Sequence, residues 1–285
     1  IGLPAAWPGR DILFRHVFQV SGPVHRARVY MAGLGWSELW VNGARANDRV
    51  MDPAQTDLSK RVLYTADAVE DLLRPGENVI GVRAGNGWYG TVRLLLQMEI
   101  EYADGSRTRV VTNSDWHDQW QVSPGAVLEH SVYGGEVYDA RLEQPGWCQP
   151  GGKLKGDWVL AMSAEGPGGA LLAAMLEPIR VTDTLPVAAV TRPRDGLYVL
   201  DLGQNLSGWA RLRVRGAAGT QVTLRFAESL YDDGTVNQEN LRSARARDQY
   251  TLKGGGEETW EPSFAYHGFR YIQVEGWPGE LAAGD

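Results

Sequence analysis

Residues 72–82 read LLRPGENVIGV, and what flanks this stretch decides how the chain folds. Arg74-Pro75-Gly76 cannot continue a helix, because proline lacks an amide hydrogen and glycine accepts sharp turns. After Glu77-Asn78, the apolar run 79–82 predicts a buried strand. Just upstream, residues 64–73 hold at most one short helical turn, marked by Asp67, Val69, Leu72 and Leu73. Further back, Ile12–Val20 and residues 24–31 alternate in character: Phe14, His16 and Phe18 in one, Ala27, Val29 and Met31 in the other. That is the pattern of half-buried strands. Residues 37–41 end in Asn42-Gly43, which favours a tight hairpin turn. Downstream, residues 94–102 and 108–112 flank Asp104-Gly105, a second hairpin.

An alternating strand, a VNG hairpin, a short turn and then LLRPGENVIGV read as a jelly-roll sandwich, and the order resembles the galactose-binding-like modules of many glycoside hydrolases. Between 147 and 175 the composition turns Gly-rich and loses its period, as a connection between domains does. The second half is again strand-like, with short runs at 198–202, 210–215, 221–227, 248–252 and 270–274 separated by turns at 216–219 and 254–256. The expectation is an all-β protein of two β-sandwich domains in tandem, 1–160 and 161–285. No long amphipathic pattern occurs in either half, so a catalytic site built on a helical toroid has no place in this chain.

Composition narrows the function classes. Of 285 residues, 43% are hydrophobic and 22% charged, values of a soluble globular protein. The net charge of −7 gives no broad attraction to phosphate backbones or anionic lipids, so neither nucleic acid nor a membrane surface is an expected partner. A single cysteine, Cys148, rules out an internal disulfide framework and a cysteine-based zinc cluster. No apolar run is long enough to span a bilayer, and no signal pattern opens the chain. A cytoplasmic protein is the working expectation for the compartment, with Ile1 in place of Met leaving room for a removed signal. Eleven Trp against five Phe suit stacking surfaces for carbohydrate as well as sandwich cores.

Two stretches are candidates for ligand chemistry. VYGGEVYDARLEQPGW (132–147) sets Glu136, Asp139, Arg141 and Glu143 among Tyr133, Tyr138 and Trp147. Carboxylates and a guanidinium bond directionally to hydroxyls, and aromatic faces stack on sugar rings. The same residues suit an Asp139–Arg141 ion pair surrounded by core aromatics. AGNGWYG (84–90) brings Asn86, Trp88 and Tyr89 into a glycine-bounded loop that either presents an amide and aromatic faces or plugs a sandwich end with Trp88. Its glycine spacing is wrong for a dinucleotide fingerprint. Trp116 and Trp120, in TNSDWHDQW, suit either surface or core.

Asn47-Asp48, Asp52 and Asp57 offer hard oxygen ligands without calcium-loop spacing, and a solvated loop is the expectation. His16, His25, His117, His130 and His267 lack zinc-ligand spacing. In FAYHGFRYIQV (264–274), Phe264, Tyr266, Phe269 and Tyr271 are expected to anchor a strand, with Arg270 in an ion pair. The pairs Asp232-Asp233 and Glu257-Glu258 are expected in turns facing water.

Taken together, FRHVFQV, ARVYMAGLGWSELWVNG, KRVLYTADAVEDLLRPGENVIGVRAGNGWYG, GGEVYDARLEQPGW, VLDLGQNLSGWARLRV, AESLYDDGTVNQENL, DQYTLKGGG and FAYHGFRYIQVEG resemble the amino-terminal part of bacterial α-L-rhamnosidases over nearly the whole chain. YDAR, PGW, DLGQN and HGFRY in this order carry the specificity. The resemblance implies an N-terminal sandwich that helps recognise substrate, then a concanavalin-like sandwich, preceding an α/α barrel that holds the general acid and base of an inverting hydrolase. It implies no catalytic residue here. Implied partners are rhamnose-containing glycosides and that barrel. Some relatives bind L-rhamnose with calcium on the N-terminal sandwich; the positions that would inherit this are Asn86, Trp88, Glu136, Asp139 and Arg141. After Tyr89-Gly90 this chain passes almost at once into VRLLLQMEIEY, where the family commonly has a longer polar loop. No cofactor is implied beyond that calcium.

Overall fold

A computed structural model describes residues 1–3, 7, 9–88, 92–113 and 119–284. The fold is all-β. Its helical elements among the described residues are the 3-10 turns Glu70–Leu72, Ala140–Leu142 and Glu239–Leu241, and no helix is long and apolar enough to cross a membrane. Residues 64–73 are split: Arg61–Ala68 is a strand with alternating burial, and the helical turn is confined to Glu70–Leu72.

Contacts divide the chain into two compact units, Ile1–Gly125 with Gln144–Val181, and Ala126–Glu143 with Thr182–Asp285. The units are discontinuous along the chain, where the sequence suggested a single cut near residue 160. The stretch 126–143 is built into the second unit, and the chain then returns to the first.

In the first unit, a six-stranded sheet runs in the order Val159–Leu160, Gln121–Pro124, Ile12–Val20, Gly76–Gly85, Trp36–Val41, Ala44–Arg45. A five-stranded sheet runs Ala170–Ala173, Arg61–Ala68, Val24–Leu34, Arg93–Tyr102, Arg107–Val111. Strand alternation sends Ile12, Phe14 and Phe18 of the first sheet and Val29, Met98 and Ile100 of the second into one buried cluster. Trp120 is core, 1% exposed, and stacks on His16 with centroids 5.2 Å apart; Trp116 and His117 lie outside the described residues. The two local signals of the sequence interlock: Asn42 Nδ2 donates to Asn78 Oδ1 at 2.7 Å and to the Leu72 carbonyl at 2.8 Å, while Asn78 Nδ2 closes its own turn on Arg74 and Gly76.

In the second unit, a seven-stranded sheet runs Val127–Ser131, Gly135–Asp139, Arg247–Thr251, Gln221–Ala227, His267–Glu275, Leu197–Gly208, Ala189–Arg194. Gly135–Asp139 pairs parallel with Arg247–Thr251, unlike the other pairs in this sheet. Leu212–Arg215 and Glu257–Trp260 form a two-stranded sheet whose Leu212, Val214 and Trp260 join Val222, Leu224 and Phe226 in the core. Glu258 is a correction. It is 5% exposed within a strand, accepting from the Tyr250 hydroxyl at 2.8 Å and from the amides of Lys253 and Gly254. Asp233 does lie in an exposed turn, accepting from Thr235.

Candidate functional site

In the first unit, Gly76–Gly85 delivers the chain into the Asn86-Gly87-Trp88 turn. Bare backbone makes the turn possible: Gly35 (φ +101°) comes so close that an added Cβ would stand 2.1 Å from the Gly85 carbonyl oxygen, and Gly87 (φ +53°) packs back on Gly35. Asn86 is half-buried. Trp88 keeps 46% of its surface exposed, so it does not plug the sandwich end. Tyr89, Gly90 and Thr91 lie outside the described residues.

In the second unit, Glu136, Asp139 and Arg141 occupy three different environments. Glu136 has no exposed surface. Its Oε2 accepts the amides of Ser263 at 3.0 Å and Phe264 at 2.8 Å, and its own amide donates to Asp248 Oδ1 at 2.9 Å. Gly135 (φ +91°) permits this, since a Cβ there would stand 2.1 Å from the Arg247 carbonyl oxygen. These bonds enclose the Glu136 carboxylate and tie Gly135–Asp139 to the Ser263-Phe264 backbone. Asp139, 7% exposed, caps the turn Ala140–Leu142 by accepting the Arg141 amide, and it takes the Arg141 guanidinium on both oxygens at 2.9 and 2.7 Å. That fork-to-fork bond raises the Arg141 pKa. Of the three, Arg141 alone keeps an exposed head, with 53% of its side chain open.

The aromatics of the same stretch also separate. Tyr138 stacks on Tyr250 and tilts against Trp260 in the core, and Tyr133 is 60% exposed. Trp147 belongs to the first unit, where it lies over Gly81 so closely that a Cβ there would be 2.5 Å from the indole; Trp158 stacks on it. The PGW motif is therefore a packing device. In the 264–274 stretch, Phe264 and Phe269 are buried, Tyr266 is exposed, and Arg270 grips Asp201 at 2.8 and 2.9 Å.

The oxygen-rich loop is organised by a guanidinium. Arg49 donates to Asp52 at 2.8 Å and Asp67 at 2.6 Å, Asn47 donates to Asp67, and Asp48 pairs with Arg180. Burial raises the Asp52 pKa against the pull of Arg49. These residues do not fit a calcium ion, because a cation already stands among the carboxylates. Among the described residues, no group of three or more His, Cys, Asp or Glu could hold a metal. Sequence reading missed a set of arginines, Arg26, Arg28, Arg107 and Arg109, that line one depression in the first unit. The signal was the repeated period-two spacing of HRAR, EIE and RTR.

The family description "Alpha-L-rhamnosidase N-terminal domain" matches residues 22–183, and "Bacterial alpha-L-rhamnosidase concanavalin-like domain" matches 191–285. An α-L-rhamnosidase of Streptomyces avermitilis is 42% identical over 281 residues, covering 93% of this chain and 27% of that protein. The structure of the α-L-rhamnosidase from Dictyoglumus thermophilum superposes with a TM-score of 0.92 at 42% identity, covering 97% of this chain and 32% of that one. The Streptomyces avermitilis α-L-rhamnosidase complexed with L-rhamnose gives a TM-score of 0.92 at 40% identity, covering 97% and 28%. The chain thus spans about 30% of the length of these relatives. It belongs to the bacterial α-L-rhamnosidase family, as the family's N-terminal domain followed by its concanavalin-like domain.

Proposed function

We propose that this chain is the non-catalytic portion of an α-L-rhamnosidase, in which it contributes to recognition of rhamnose-bearing glycosides and supports a catalytic α/α barrel. The observation that carries this reading is the match of both family domains to an all-β chain about 30% as long as its relatives. Inverting hydrolysis needs a general acid and a general base facing each other about 6.5–9.5 Å apart, with water between them. The enclosed carboxylates of the second unit, Glu136, Asp248 and Glu258, are engaged by N–H and O–H donors and shut off from solvent. The test is release of the aglycone from an aryl α-L-rhamnoside. The chain is expected to release none above background, and turnover comparable with a full-length relative would overturn the reading.

A second reading, a free-standing carbohydrate-binding module for L-rhamnose, is favoured by the exposed indole of Trp88 beside Asn86. Calorimetry with L-rhamnose, run with and without calcium, separates the two. Saturable heat that disappears in Trp88→Ala supports an independent sugar site, and a flat titration rejects it.

A further inference from the structure

The five-stranded sheet of the first unit buries one face and exposes the other. Ala27, Val29, Met98, Ile100 and Val110 fill the core, so the intervening Arg26, Arg28, Tyr30, Glu99, Glu101, Arg107 and Arg109 stand on the outer face. Strand register aligns them in rows: Arg28 is opposite Glu99, which is opposite Arg109, and Arg26 is opposite Glu101, which is opposite Arg107. Neighbouring arginines stand roughly 7 Å apart along a strand, with the glutamates on the strand between. They surround an open depression of about 440 Å³, with Tyr30 at one end of the rows and Tyr64 edge-on to it at 6.2 Å.

The charges are held but not sealed. Glu101 accepts from Arg107 at 3.0 Å and Glu99 from Arg109 at 3.2 Å, while Arg28 is paired with Glu70 at 2.7 Å. The side chains of Arg107 and Arg109 are 76% and 63% exposed, so each guanidinium keeps N–H donors turned to water. Ion pairs this exposed add little to stability, and exchanging one partner for a ligand's anion costs little. Four guanidinium groups, Arg26, Arg28, Arg107 and Arg109, meet three carboxylates, Glu70, Glu99 and Glu101, so this face carries a single positive charge in excess within a chain of net charge −7.

We propose that this face binds an acidic polysaccharide. Guanidinium forks match the planar oxygens of a uronate or the oxygens of a sulfate ester, Glu99 and Glu101 accept from sugar hydroxyls, and Tyr30 offers a ring to stack on. The alternation of donors and acceptors selects the ligand class. A DNA backbone brings anions but no hydroxyl donors for the glutamates, whereas an acidic glycan brings both. This inference does not rest on the rhamnose reading of Asn86 and Trp88.

Affinity gel electrophoresis of the whole chain tests it, with polygalacturonate (carboxylate), dextran sulfate (sulfate), pullulan (neutral) or single-stranded DNA in the gel. Retardation is expected from polygalacturonate or dextran sulfate, with whichever retards more identifying the anion, and none from pullulan. In Arg107→Gln/Arg109→Gln, and separately in Arg26→Gln, the apparent Kd should rise at least tenfold with an unchanged melting midpoint. Arg211→Gln, in the second unit, should behave as the parent. The proposal is overturned by no retardation in either acidic polymer, by retardation that survives the double variant, or by DNA retarding the chain as strongly as the polysaccharide.

Discussion

His267 Nε2 lies 3.0 Å from Asp248 Oδ1, and the two residues are 4% and 0% exposed. The same oxygen accepts the Glu136 amide, and the Glu136 carboxylate in turn holds the amides of Ser263 and Phe264. Strands Gly135–Asp139, Arg247–Thr251 and His267–Glu275 are tied by one buried polar chain, which fastens a segment that enters the second unit from between two stretches of the first. Asp248→Ala would leave the His267 ring and the Glu136 amide without their acceptor. Each buried donor left unsatisfied costs about 1–3 kcal/mol, whereas Asp248→Asn keeps an accepting oxygen and should cost less. Urea unfolding followed by tryptophan fluorescence reads both, and an unchanged midpoint in Asp248→Ala would show that this chain of bonds does not hold the unit together.

Gly81 is a packing requirement. A Cβ there would stand 2.5 Å from the Trp147 ring and 2.7 Å from Cys148 Sγ, on a strand whose opposite face is core. Gly81→Ala is expected to destabilise the first unit by about 1–3 kcal/mol through overpacking. Gly76→Ala, where a Cβ meets nothing but φ is +95°, tests backbone strain alone. A Gly81→Ala variant as stable as the parent would mean that Trp147 moves aside freely.

Cys148 reports on the same contact. It is 2% exposed, and burial pushes its thiol up to about 11. Because the thiolate is the reacting form, the native chain at pH 8 should resist a disulfide reagent that modifies the unfolded chain at once. Gly81→Ala should speed the reaction if it displaces Trp147. Rapid stoichiometric labelling of the native parent would contradict the enclosure.

Local chemistry made much of the fold legible. Asn42-Gly43, with φ of 52° and 84°, is the left-handed pair a two-residue hairpin demands, and Asp104-Gly105 turns its hairpin with Asp104 accepting the Ser106 amide at 2.9 Å. What escaped was set by partners far along the chain. Glu136 looks the same in sequence whether it faces a sugar or the amides of Ser263 and Phe264, which lie 127 and 128 positions away. A parallel pairing with Arg247–Thr251 leaves no local turn to announce it. Each arginine row read singly is an ordinary solvated strand face, and only the register sets them side by side.

Acid should loosen both units through carboxylates that the fold keeps ionised. Hydrogen bonds from Arg270, and then from the Gly203 amide, hold Asp201 below its ordinary range, while Ser106 and Thr235 do the same for Asp104 and Asp233. A folded pKa below the unfolded value of about 3.9 means the stabilisation is fully present above that value and is lost as pH falls through the folded pKa. The melting midpoint should therefore gain nothing further from these groups between about pH 5 and 8, and should drop below about pH 4. Asp201→Asn keeps the shape but not the charge that Arg270 grips, so its deficit relative to the parent should be widest near pH 7 and close towards pH 3. Thermal unfolding across this range measures the gap. A deficit that stays constant with pH would assign the effect of Asp201 to packing rather than to its ionised carboxylate.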